Sequence, residues 1–168
     1  MKLYLLSILL LLFSCSQDTK KQDVENSAKE SELLVKEDIS TLKYTEYILD
    51  FKAASNLDSW QKYKELETLS NNVKNANLSF FKDNHEVLTT FLDELKKTLP
   101  EEVNTPAIYA RLKIIETYCY KIEDQLKLSD IDKNELLEVI KEFLKSYSNL
   151  NFQINKKFEK ESQNIQKP

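Results

Sequence analysis

The chain has 168 residues, 41% hydrophobic and 31% charged, which is enough apolar material for one packed core and too much for general disorder. Glycine is absent, which excludes a glycine-rich phosphate loop of the usual kind and makes tight positive-φ hairpins hard to build. The formal net charge is −4 with both signs interspersed, so the chain lacks the clustered basic footprint that nucleic acid requires.

The first element is an address. Lys2 is followed by an apolar run over residues 3–13. A membrane-spanning helix needs roughly 17–25 apolar residues, so this run has the length of a signal-peptide core instead. It ends in Leu12-Phe13-Ser14-Cys15.

Those four residues resemble a lipobox, the processing site of bacterial lipoproteins. Leu12, Ser14 and Cys15 match the pattern. Phe13 departs from it, because that slot usually holds a small or β-branched residue. The resemblance implies that residues 1–14 are a cleaved signal peptide and that Cys15 becomes the mature N-terminus. Cys15 then carries a thioether-linked diacylglycerol, and no other cofactor is expected. Two acyl chains satisfy the requirement for stable anchoring. Ser16, where a retained inner-membrane lipoprotein would carry Asp, resembles the outer-membrane class. The implied location is a lipid-anchored protein of the cell membrane, on the outer membrane and facing the periplasm or the surface. Over residues 1–15 the chain resembles the small helical lipoproteins of two-membrane bacteria.

Residues 15–38 carry the anchor and a polar stretch that cannot bury enough surface to fold alone. We take it as a tether. About 20 flexible residues give an end-to-end distance of ~25 Å. The domain is then expected over 39–160, with a polar tail at 161–168. The segment 39–54 fits a helical face through Tyr44, Tyr47, Ile48, Phe51 and Ala54, while its aromatic and β-branched content also suits a strand. A helix packed against the bundle is the expectation.

Leu57, Trp60, Tyr63, Leu66, Leu69 and Val73 form an amphipathic stripe, with Asn56 or Asp58 as cap. Asp83-x-x-Glu86 has the form of a capping box. It leads into Leu88, Phe91, Leu92, Leu95 and Leu99, and Pro100 stops that helix. Thr105-Pro106 starts the next, a capping side chain followed by proline at the first helical position. Ile108, Leu112, Ile115, Cys119, Ile122 and Leu126 then make an a/d seam. Asp132-x-x-Glu135 caps the last helix. Its seam is Ile140, Phe143, Tyr147, Leu150, Ile154 and Phe158. The fold class is therefore all-α, an antiparallel bundle of four helices with 39–54 as a candidate fifth.

The residues that could carry chemistry are few. Arg111 stands alone against 23 lysines. A planar, bidentate donor on the flank of a seam suits an interhelix ion pair with a glutamate, or an anionic ligand. His85 is the single histidine. No second ligand lies at metal-site spacing, so it reads as a surface or cap-region residue. Cys119 reads as a small buried hydrophobe, with an intermolecular disulfide as the alternative in an oxidising envelope. The amides within 148–155 read as a solvated face plus one register-setting polar residue. A hydrogen-bonding patch is the alternative. Tyr109, Tyr118, Tyr120, Phe80 and Phe81 are expected to be covered by neighbouring helices rather than to mark a partner surface.

No catalytic residue is assigned. The leading expectation is a non-catalytic envelope protein, held to the membrane by its lipid and contacting a protein partner or supporting an envelope assembly. The alternative is a module binding a small or apolar ligand, in a core cavity lined by Ile108, Cys119 and Tyr147 with Arg111 holding a negative group. An enzyme would be signalled by a cleft holding His85 beside a carboxylate and a hydroxyl. Oligomeric state is not legible.

Overall fold

A computed structural model describes residues 33–83 and 85–163. Cys15, the lipobox, Ser16 and most of the tether lie outside these residues. The described chain is all-α, with seven α-helices, one 3-10 turn and no strand among the described residues. The helices are α1 (Lys36–Ser40), α2 (Phe51–Asn56), α3 (Gln61–Lys74), α4 (Phe80–Asp83), α5 (His85–Lys97), α6 (Pro106–Leu126) and α7 (Lys133–Ser162). The four long ones are the four expected.

Each long helix starts and stops for local reasons. At α6, the Thr105 hydroxyl accepts from the Ile108 N–H at 3.3 Å, and Pro106 occupies the first turn, where a missing N–H costs nothing. At α7, the Asp132 carboxylate accepts from the N–H groups of Asn134 and Glu135 at 2.7 and 3.2 Å. The α3 cap differs from expectation. Trp60 holds the N-cap position without a side-chain bond, and its buried indole donates instead to the Thr98 hydroxyl at 3.3 Å. The Asp83–Glu86 cap involves Asn84 and the Asp83 side chain, which lie outside the description.

The core follows the seams. Ile108, Leu112, Ile115, Cys119 and Ile122 on α6 are all buried, and so are Ile140, Phe143, Tyr147, Leu150, Ile154 and Phe158 on α7. These two helices, joined by the connection 127–132, pack together as the spine of the bundle. Phe81 and Phe91 bring α4 and α5 onto it, and Trp60 and Leu66 bring in α3. The 30 residues of α7 give a rod of about 45 Å at 1.5 Å per residue.

The packed domain also begins earlier than expected. Leu34 and Ile39 are buried, and Asp38 pairs with Lys133 at 2.8 Å. The last part of the expected tether is therefore part of the bundle, seated at the start of α7.

One turn shows what the missing glycine costs. After α3 the Asn77 N–H bonds to the Asn72 carbonyl and the Ala76 N–H to that of Val73, both at 2.9 Å. This is a Schellman closure, and its left-handed position is filled by Ala76 at φ 59°. A Cβ there carries a penalty of about 1–2 kcal/mol. Part of any gain from glycine is returned as unfolded-state entropy. Ala76→Gly should therefore stabilise the fold by about 0.5–1 kcal/mol, read as a higher midpoint in urea unfolding. A lower midpoint would show that the turn is not left-handed.

Candidate functional site

The segment 42–50 is neither the helix expected nor a strand. It runs as a non-helical strap bonded to α7, so that of the expected helix over 39–54 only the end of α1 at Ile39 and Ser40 and the first residues of α2 from Phe51 are helical. From the Thr45 carbonyl to the Asp50 N–H the strap's backbone bonds go to side chains. Ser148, Asn151 and Asn155 are spaced three and four apart, so they share one face of α7. The Tyr47 N–H donates to the Ser148 hydroxyl at 2.7 Å, which in turn donates to the Thr45 carbonyl at 2.7 Å. The Asn151 amide donates to the Tyr47 carbonyl at 3.0 Å, and that of Asn155 to the Ile48 carbonyl at 2.8 Å. The Asp50 N–H returns to the Asn155 oxygen at 3.0 Å. Helix side chains thus do for the strap what a neighbouring strand would do in a sheet.

Asn151 ties this ladder to the core. It is buried, and its amide oxygen accepts from the Tyr63 hydroxyl at 2.7 Å. The Tyr63 and Tyr147 hydroxyls lie 3.2 Å apart. Burial raises the Tyr63 phenol well above its ordinary range, and the Tyr147 phenol in the same direction. Both hydroxyls therefore stay protonated. Within 148–155, Ser148, Asn151 and Asn155 form a hydrogen-bonding patch in place of the expected solvated face with one register-setting polar residue, while Asn149 stays exposed.

The strap and the start of α2 carry exposed apolar side chains. The Tyr47 ring packs on Phe152 with centroids 4.7 Å apart, and Lys156 lies 5.7 Å over the Phe152 ring. Ile48 is 76% exposed and Phe51 91%. On the other flank of the strap is a cleft of about 270 Å³ lined by Lys43, Tyr44, Lys141, Glu142, Lys145 and Asn149, among others. Partial burial, and then the Glu46 charge, lift the Tyr44 hydroxyl to about 12.

A second constellation joins α5 to α6. The carboxylate of Glu123, 2% exposed, meets His85 Nδ1 at 2.9 Å and Lys127 Nζ at 2.7 Å. Thr89 Oγ1 stands 3.5 Å from His85 Nε2, and the Tyr120 hydroxyl donates to Thr89 at 3.3 Å. The residue types of an acid–histidine–hydroxyl set are therefore present. The ring of His85 nevertheless lies on the surface, and it lines none of the three clefts described. What the arrangement does is hold a buried carboxylate. Burial pushes the Glu123 carboxyl up, and the hydrogen bonds from Lys127 and His85 outweigh it, leaving the group below its ordinary value. Glu116 behaves alike, with Lys96 and Lys113 outweighing burial.

Carboxyls lowered in the folded state stabilise it above their ordinary value of 4.5. That contribution disappears as pH falls through the lowered values. The urea midpoint should therefore drop between about pH 5 and 3, and Glu123→Gln should flatten the drop. An unchanged profile in the variant would mean that Glu123 is not charged in the fold.

The remaining expected residues are accounted for singly. Arg111 makes no interhelix ion pair among the described residues. Its guanidinium donates to the Ala107 carbonyl at 3.2 Å, one turn back on its own helix. Cys119 is fully buried, and burial raises its thiol far above the ordinary range, so no partner thiol reaches it. Tyr109 is exposed, Tyr118, Tyr120 and Phe80 are half-buried, and Phe81 is buried. The two larger clefts, about 290 and 410 Å³, adjoin over Glu65, Phe80 and Phe91 between α3 and α5. Ile108, Cys119 and Tyr147 line none of the three.

Among the described residues no group of three or more side chains could hold a metal ion, and no helix is long and apolar enough to cross a membrane. No family model, curated protein or solved structure matches the chain.

Proposed function

We propose that the protein is a cell-envelope lipoprotein, anchored through a diacylglycerol on Cys15, whose helical domain docks a partner protein and performs no catalysis. The observation that carries the docking is a pair of exposed apolar side chains: Ile48, on a strap held by three side chains of α7, and Phe51, at the first position of α2, stand 76% and 91% exposed. Each such side chain contributes about 1.5–3 kcal/mol when a partner buries it. A fixed backbone means that little ordering entropy opposes binding. Large exposed aromatics on a rigid frame are the usual centres of binding energy.

The arrangement also separates the two tasks. The chain enters the domain beside Lys133, and the cluster lies around Phe152 and Asn155. Some twenty helical residues separate them, about 30 Å. The ligand-binding alternative has less behind it, because Ile108, Cys119 and Tyr147 line none of the three clefts described and Arg111 bonds back to its own helix.

The test is an in-cell cross-link and pull-down of the full lipidated chain, with Cys15→Ala and the double variant Ile48→Ser/Phe51→Ser as comparisons. We expect one dominant partner with the parent chain and its loss from the double variant, whose fold should be untouched. A Cys15→Ala protein still in the membrane fraction would remove the anchor. A partner retained by the double variant would remove the docking cluster.

A further inference from the structure

We propose that the groove between α3 and α5, a site apart from the strap, binds a small organic cation: an ammonium group that carries one aromatic or short alkyl substituent.

Helical spacing builds the groove. Glu65, Thr68 and Asn72 stand three and four apart on α3, and Val87, Thr90 and Glu94 do so on α5, so each set makes one stripe along its helix. The two stripes wall the adjoining clefts of about 290 and 410 Å³, a size that suits a small molecule. The floor is aromatic. Phe80 is half-buried and meets the buried Phe91 edge-on, with ring centroids 5.4 Å apart. Val87, 48% exposed, extends this apolar surface along α5.

Charge selects the sign of the ligand. Lys62 is one ammonium between two carboxylates, 2.8 Å from Glu65 Oε2 and 2.9 Å from Glu94 Oε2. The Oε1 atom of each glutamate accepts no hydrogen bond among the described residues. The other lysine of the walls, Lys64, pairs with Asp58, which lines neither cleft. Glu86 is a third carboxylate on the α5 wall. The rim thus carries more negative charge than its lysines neutralise, and an anion is repelled there. The floor accepts an ammonium as well, since Lys62 Nζ already lies 5.9 Å from the centroid of the Phe91 ring. A ligand ammonium therefore reaches an open carboxylate oxygen while its substituent covers Phe80.

The experiment titrates the full, isotope-labelled chain in a non-ionic detergent with phenethylammonium, with phenylpropionate as an anion of similar shape, and with a lysine-rich peptide. The Thr68 and Val87 amides are followed by NMR. We expect saturable shifts with phenethylammonium, at a dissociation constant on the order of a millimolar or tighter, and none with phenylpropionate. Thr90→Lys places an ammonium of the protein itself one turn from both Glu86 and Glu94. It should weaken binding at least about fivefold, while Thr90→Gln stays within about twofold. Glu65→Gln/Glu94→Gln should weaken it about tenfold, and less at high salt. The absence of a saturable shift, equal binding of the anion, or parent-like binding by Thr90→Lys overturns the proposal. An equal loss in Thr90→Gln overturns the selection by charge. Binding of the peptide without binding of phenethylammonium assigns the groove to a protein partner and overturns the proposal too.

Discussion

Replacing Phe143 by alanine is expected to cost about 3–5 kcal/mol, a sizeable part of the 5–15 kcal/mol that a domain of this kind has in total. Phe143 is fully buried near the middle of α7 and meets the Phe81 ring edge-on at 6.1 Å. Its removal leaves a cavity where α4, α6 and α7 converge, and rigid helices cannot collapse to fill it. Leu112→Ala, on the facing seam of α6, should cost about 2–5 kcal/mol by the same argument. Thermal melting followed by circular dichroism checks both, with falls on the order of 10 °C expected for Phe143→Ala. A fall of less than about 2 °C would mean that the α6–α7 seam is not the spine of the core.

Asn151→Leu is expected to cost about 2–3 kcal/mol, although it puts an apolar side chain of similar size in a buried place. The amide satisfies two groups at once, the Tyr63 hydroxyl and the Tyr47 carbonyl. Tyr63 is buried beside Tyr147, so its hydroxyl loses a short partner with little access to water. The Tyr47 carbonyl loses the donor that ties the strap to α7. The variant should therefore show two signatures, a lower unfolding midpoint and faster hydrogen exchange at the Tyr47 and Asp50 amides. Equal exchange in parent and variant would show that the strap does not depend on the ladder.

Most of the bundle was legible because its four long helices obey one rule throughout. Apolar residues recur every three or four positions, and the ends carry Thr105, Pro106 and Asp132, whose side chains or ring shape suit a helix start. The seam residues from Ile108 to Ile122 and from Ile140 to Phe158 are buried as their spacing requires. The strap was not legible, because 42–50 satisfies its backbone through residues about 100 positions away. No local pattern announces such a pairing. One signal did exist. Ser148, Asn151 and Asn155 occupy a single helical stripe beside the apolar seam, and Asn is a poor choice for a helix interior unless its amide has work to do. His85 shows the opposite limit. Its position was legible as the start of a helix, yet its buried carboxylate partner comes from α6, which only the packing brings near.

The ladder between the strap and α7 also orders events in time. The strap belongs to the first part of the domain to be synthesised, and the side chains that hold it lie 101–107 residues further on. Contacts so remote in sequence form late, since the loop between them must close before they return anything. The α6–α7 hairpin can assemble from neighbouring residues alone. The segment that bears Ile48 and Phe51 is thus made early and secured last, and a chain truncated before Asn155 would carry its docking cluster on a loose end.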